Sequence, residues 1–151
     1  MHDVGKIAIP DRILLNPEPL TEEEWAIMRQ HAGIGYSILA GSGADLLDLA
    51  ASIAWTHHER LDGSGYPRGL SGEAIPLEGR IAAVADVFDA LTRERCYQPA
   101  HSLGDAVGIL RLGRGRLFDA DVLDSLLGGL DEVVELMRLP TSLGAALSAT
   151  M

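Results

Sequence analysis

Cysteine is almost absent: Cys96 is the single one in 151 residues, and one thiol cannot build an internal disulfide framework. No run of about eighteen or more uncharged apolar residues occurs, so no transmembrane helix is implied. The opening Met1-His2-Asp3-Val4-Gly5-Lys6 has no apolar h-region, so no secretory leader is read there. These absences together favour the cytoplasm. Positive charge is also scarce, with 12 Lys and Arg against 22 Asp and Glu and a net charge of −10. Proteins that coat nucleic acid neutralise its phosphates with basic surface, so a nucleic-acid polymer is not an expected partner. A small anionic substrate stays open, provided metal ions or a few placed Lys and Arg residues supply local positive charge. There is no internal repeat, no long low-complexity stretch and no convincing period-two alternation.

What is present is an apolar, helical pattern. Hydrophobic residues make up 47% of a chain of one-domain length, and their spacing is helical nearly throughout. Thr21 and Glu24 read as a capping box, opening a helix to about His31, with a second piece near Ile34 to Leu39. Asp45 starts another that runs to about His58. Gly63 to Pro76 is dense in Gly and Pro and reads as a loop. Helices follow over Leu77 to Thr92, Ser102 to Leu112, and Asp119 to about Met137. The expectation is an all-α domain over residues 1–138. The small, weakly polar stretch 139–151 reads as a tail, either frayed or part of a dimer contact.

Several polar groups stand where apolar ones are expected. Ile27 lies one turn before His31 and puts it on an inward stripe. Leu46, Ala50, Ile53 and His57 share one helical face, and Leu47, Ala51, Ala54 and His58 form the adjoining stripe. Two inward imidazoles need partners for their ring nitrogens. A shared metal is the simplest, and a hydrogen-bonded pair at a helix end is the alternative. Ile81 to Leu91 is apolar except for Asp86 and Asp89, three residues apart. A carboxylate there needs a cation, either a metal or a buried Arg such as Arg80 or Arg95. His2 and Asp3, adjacent at the start, add two more donors. Mixed His and carboxylate donors suit iron, manganese or zinc. A carboxylate bridging two ions would give a two-metal centre suited to displacement at phosphorus.

The segments carry a family resemblance. His2-Asp3-Val4-Gly5-Lys6-Ile7 resembles the signature of the HD superfamily of metal-dependent phosphohydrolases. His57-His58-Glu59-Arg60-Leu61-Asp62-Gly63-Ser64-Gly65-Tyr66-Pro67, with Ile75-Pro76-Leu77 and Val84 to Thr92, resembles the motif of its HD-GYP branch. The resemblance covers residues 1–127. It implies a helical bundle with a centre of two or three divalent metals, most often iron or manganese, that hydrolyses cyclic di-GMP to pGpG and GMP. It implies that His2 and Asp86 hold one metal, that His31 and His57 hold the second, that Asp3 bridges them, and that His58 serves a third in some members. It places Lys6 and Arg95 near the substrate phosphates, Lys6 with a catalytic role beside Asp3. It sets Gly65, Tyr66 and Pro67 in a loop that handles substrate and meets partners carrying GGDEF domains. Tyr66 is either a stacking platform for guanine or a residue that packs this loop down.

The chain also departs from the family pattern. Members carry earlier helices that add a further His, and in some a Glu, so the resemblance implies a domain lacking its first helices, with an uncovered apolar face that favours a homodimer. The usual Arg-Pro-Tyr-Lys stretch reads Arg95-Cys96-Tyr97-Gln98, and Leu117 precedes Phe118 where many members have His. No catalytic role is expected of Gln98 or Leu117. The leading expectation is a metal-dependent phosphodiesterase; the alternative is a degenerate module retained as a nucleotide-binding or protein-interaction scaffold.

Overall fold

A computed structural model of the chain describes residues 1–93 and 101–138. Arg95, Cys96 and Gln98, and the tail expected at residues 139–151, lie outside the described residues. The elements are a 3-10 turn at Val4–Ala8, then α1 (Asp11–Leu14), α2 (Glu22–Met28), α3 (Gln30–Leu39), α4 (Asp45–Thr56), a 3-10 turn at Gly72–Ala74, α5 (Leu77–Thr92), α6 (Leu103–Leu112), α7 (Ala120–Gly128) and α8 (Leu130–Arg138). Among the described residues there is no strand beyond two isolated bridges, so the all-α expectation is met. No described helix is long and apolar enough to cross a membrane.

Local chemistry explains most of the bounds. Thr21 Oγ1 accepts from the Glu24 N–H at 3.2 Å, and the Glu24 carboxylate accepts from the Thr21 N–H at 3.0 Å, closing the expected capping box. Ser102 caps α6 by accepting from the Asp105 N–H. Asp119 caps α7 by accepting from the N–H groups of Asp121 and Val122.

Three expectations need correction. The helix opened by Thr21 ends at Met28, and His31 belongs to the next helix, α3. That helix runs through Gly33 and Gly35 because Gly35 packs against Ala54 and Gly5, where its missing side chain permits the contact. The single helix expected from Asp119 divides at Gly129 into α7 and α8. Two adjacent glycines, Gly128 and Gly129, weaken helix propensity there. On α4 the buried face is Ala51 and Ala54, whereas Leu46 is 75% exposed. Of the two expected stripes, the one through Leu47, Ala51 and Ala54 is the core face; on the other, His57 is buried as expected, but Leu46 is not core. With Leu49 and Ile53 it lines an open groove beside Met1 and His2.

Two apolar clusters bracket the chemistry. Val84, Phe88, Leu110, Phe118 and Leu123 join α5, α6 and α7. Leu39, Ala51 and Ala54 join α3 and α4, with Val4 packed on them. The turn at Val4–Ala8 lies against α3 so closely that a side chain at Gly5 would sit 2.0 Å from the His31 carbonyl oxygen. This contact brings the N-terminal His2 and Asp3 up to the helices that carry the other polar residues.

Candidate metal centre

Four ligand atoms, one each from Asp3, His31, His57 and His58, lie within 4.8 Å of one another. They come from the N-terminal turn, from α3, and from the residues that end α4. His31 and His57 are each 1% exposed. The Nδ1–H of His31 donates to the Met28 carbonyl at 2.7 Å. That of His57 donates to the carbonyls of Ala54 and Ile53 at 3.0 and 3.1 Å. A carbonyl only accepts, so in each neutral ring the proton is on Nδ1 and Nε2 keeps its lone pair. The helix-end hydrogen bonds considered as the alternative for His57 are thus real, and they satisfy one ring nitrogen only.

The two Nε2 atoms face each other at 3.5 Å. Asp3 Oδ1 lies 3.5 Å from the first and 3.8 Å from the second, and it is buried without a hydrogen-bond partner. Two lone pairs and a carboxylate oxygen converging with no donor between them is the arrangement a cation satisfies. The residues present therefore fit a bound metal.

Asp3 turns its other oxygen to a second set. Oδ2 lies 2.6 Å from Lys6 Nζ and 3.4 Å from His2 Nε2. His2 Nε2 is in turn 3.7 Å from Oδ1 of Asp86, which α5 supplies. Burial acts to raise the Asp3 carboxyl, but contacts with His2, His57 and Lys6 outweigh it and hold the group far below the usual range. The interaction with Asp3 raises His2. Burial lowers His31 and pushes His58 down to about 2, with the neighbouring imidazoles adding to the effect. The site is thus built to keep His31 and His58 neutral and Asp3 ionised, the protonation states that ligate metals.

The buried-arginine alternative for Asp86 is not met by Arg80, which pairs with Asp119 at 2.5 Å. Asp89 pairs with the exposed Arg93 at 2.5 Å, not with Arg80. Tyr66 stacks on His58 with ring centroids 4.6 Å apart, and burial raises its hydroxyl to about 12. The Tyr66–Pro67 peptide is cis. Gly65 is required by contact: a side chain there would lie 2.4 Å from the Arg60 nitrogen.

One residue escaped the sequence reading. Glu59 is 1% exposed, and its carboxylate accepts from the N–H groups of Arg68 at 2.8 Å and Leu70 at 2.9 Å. It clamps the far side of the loop that presents Gly65, Tyr66 and Pro67. An acid set directly behind two inward histidines, and followed by a Gly-rich loop whose N–H groups lie outside any α-helix, was the available signal.

A helical domain that gathers three imidazoles about one carboxylate is, as a class, a candidate metal-site domain. Comparison with known proteins sharpens that: the family model described as HD domain matches residues 1–122, and the chain belongs to the HD domain family. It is 56% identical over 129 residues to the cyclic di-GMP phosphodiesterase response regulator RpfG of Xanthomonas campestris pv. campestris, covering 85% of this chain and 34% of the relative. It is 48% identical over 138 residues to a cyclic di-GMP phosphodiesterase of Thermotoga maritima, covering 91% of this chain and 38% of the relative. It is 46% identical over 134 residues to the 3'3'-cGAMP-specific phosphodiesterase 2 of Vibrio cholerae, covering 89% and 26%. The chain spans about a third of the length of these curated relatives.

Proposed function

We propose that this protein is a metal-dependent phosphodiesterase that hydrolyses cyclic di-GMP. Water adds across a phosphodiester P–O bond to give linear pGpG, and a second hydrolysis gives GMP. The observation that carries the reading is the pair of facing Nε2 lone pairs at 3.5 Å beside the partnerless Oδ1 of Asp3. The cyclic dinucleotide comes from the relatives named above.

In this reading His31, His57 and Asp3 would hold one divalent ion, and His2 and Asp86, again with Asp3, would hold a second. His58 is available to a third. Iron or manganese suits these nitrogen and oxygen donors. The chemistry such ions would supply when bound is polarisation of a phosphoryl oxygen and a lowered pKa for water. The chain supplies the rest. The carbonyls of Met28, Ile53 and Ala54 fix the imidazole tautomers. Lys6 steadies Asp3 and offers positive charge to the substrate phosphate as negative charge develops, with Arg95 assigned to the same phosphates. The loop of Gly65, Tyr66 and Pro67 borders the site and handles substrate, and its exposed Pro67 is the point of contact for a GGDEF-domain partner. Residues 1–138 act as one unit. The protein works in the cytoplasm, and the open groove at Leu46 and Leu49 supports a homodimer.

The test is hydrolysis of cyclic di-GMP by protein loaded anaerobically with iron(II) or manganese. Turnover abolished by chelation and by Asp3→Ala is expected; a metal-loaded protein that leaves cyclic di-GMP intact overturns the reading.

A further inference from the structure

Beside the imidazole cluster lies a pocket of about 350 Å³ whose walls include Trp25, Arg29, His58, Arg60 and Tyr66. Its size falls within the range of small-molecule sites, roughly 300–1,000 Å³. His58 belongs to both places, since its ring joins the cluster and stacks on Tyr66. A ligand in the pocket therefore reaches the edge of the metal centre.

The walls carry two cations with no anion. Among the described residues, the arginines paired with carboxylates are Arg80, Arg93, Arg114 and Arg116; neither Arg29 nor Arg60 has such a partner. Arg60 is half-buried, donates to the Glu59 carbonyl at 3.3 Å and lies 5.5 Å from the Phe118 ring centroid. Arg29 lies 5.9 Å from the ring centroids of both Trp25 and Tyr66. Half-buried and without a carboxylate partner, Arg60 carries a free-energy cost that a ligand with acceptors reduces, while the exposed Arg29 offers its guanidinium at the rim. Trp25 is 41% exposed, a large aromatic face left bare on the rim of a polar pocket. Aromatic faces next to arginines suit a stacked nucleobase.

We propose that this pocket seats one guanine of the dinucleotide, with Trp25 and Tyr66 offering aromatic faces and Arg29 and Arg60 reading the O6 and N7 edge. The inference rests on the cyclic dinucleotide reading of the adjoining centre. It adds Trp25, Arg29 and Arg60 as specificity residues. Guanine presents two acceptors on that edge, whereas adenine presents one acceptor and an N6 donor. A guanidinium only donates, so the pocket favours guanine over adenine.

The test is binding in the presence of EDTA, read by titration with cyclic di-GMP and with cyclic di-AMP. The protein is expected to prefer cyclic di-GMP. Arg29→Gln and Arg60→Gln are each expected to cut that preference about tenfold, the scale of one bidentate guanidinium–guanine contact. Trp25→Ala is expected to weaken both ligands about tenfold through lost stacking. If Arg60→Gln does not fold, the exposed Arg29 and Trp25 variants decide the matter. Equal binding of the two ligands, no binding of either, or a preference unchanged in the arginine variants overturns the proposal. Hydrolysis by manganese-loaded protein is read separately. Cyclic di-GMP bound with a guanine preference but never cleaved would remove the hydrolase reading and leave the subsite standing. Cleavage with an unaltered preference in the variants would do the reverse.

Discussion

Replacing Glu59 with Gln tests whether the loop beside the centre is held by a buried carboxylate. Glu59 accepts two backbone N–H bonds, from Arg68 at 2.8 Å and Leu70 at 2.9 Å, at 1% exposure. Gln has nearly the same shape but only one acceptor oxygen, and its NH2 group would confront the second N–H donor. One hydrogen bond to a carboxylate is lost and a buried donor is left unpaired, which costs about 2 kcal/mol, near the middle of the range for charged acceptors. At about 3 °C per kcal/mol for a chain of this size, the melting temperature should fall by about 6 °C. Glu59→Ala removes both acceptors and leaves a void, so its loss should be about twice as large. Thermal unfolding followed by circular dichroism gives the stability. Amide hydrogen exchange gives the location, because the Arg68 and Leu70 amides should exchange faster while those of α6 keep their protection. A Glu59→Gln protein within about 0.5 kcal/mol of wild type, the ordinary range for an inconsequential substitution, with both amides still protected, would refute the clamp.

Asp3→Ala should weaken manganese binding by at least about 100-fold, since even groups behind a metal's ligands are worth about 10–100-fold; competition with a fluorescent chelator reads this, and unchanged affinity would displace Asp3 from the centre. Lys6→Gln should lower kcat for cyclic di-GMP by about 100-fold, the scale for removing one donor to developing charge, and a kcat equal to wild type would leave Lys6 only its contact with Asp3. The Arg80–Asp119 pair should give pH-dependent stability. Burial acts to raise the Asp119 carboxyl, but the N–H groups of Val122 and Asp121 and the Arg80 guanidinium outweigh it and depress the group. A depressed folded-state pKa stabilises above the unfolded value of about 3.9 and loses that contribution as pH falls through the folded value. Urea unfolding should therefore show Asp119→Asn less stable than wild type by about 2 kcal/mol at pH 7, with the gap closing toward pH 2; a gap independent of pH would assign the effect to helix capping alone.

The helical class and the cluster of donors were legible because their signals are periodic or compositional. Capping chemistry marked Thr21 and Ser102, and inward histidines at the end of an apolar helix marked His57 and His58. The break at Arg29 was not legible, because glycines at Gly33 and Gly35 look like interruptions until the packing against Gly5 and Ala54 is seen. Periodicity marked two adjoining stripes on α4 without deciding between them; close approach to α3 selected the small residues Ala51 and Ala54 and left Leu46 exposed. Arg80 satisfied Asp119, thirty-nine positions away, rather than the nearer Asp86, and no local pattern encodes such a choice. Glu59 was hidden by its loop, whose amides have no periodicity to announce which of them turn inward.

The approach of the Gly5 turn to the His31 carbonyl is a backbone-to-backbone contact, and that decides how substitutions elsewhere propagate. Side chains in the cluster of α5, α6 and α7 touch neither the turn that bears Asp3 nor the helix that bears His31, so their exchange leaves the spacing between those two unaltered. A change at Gly5 has no such separation, since any side chain there must push the two main chains apart and widen the gap between carboxylate and imidazole together. Drift in that apolar cluster and the spacing of Asp3 from His31 are thereby uncoupled. A sequence can wander far through that cluster while this one position admits no alternative.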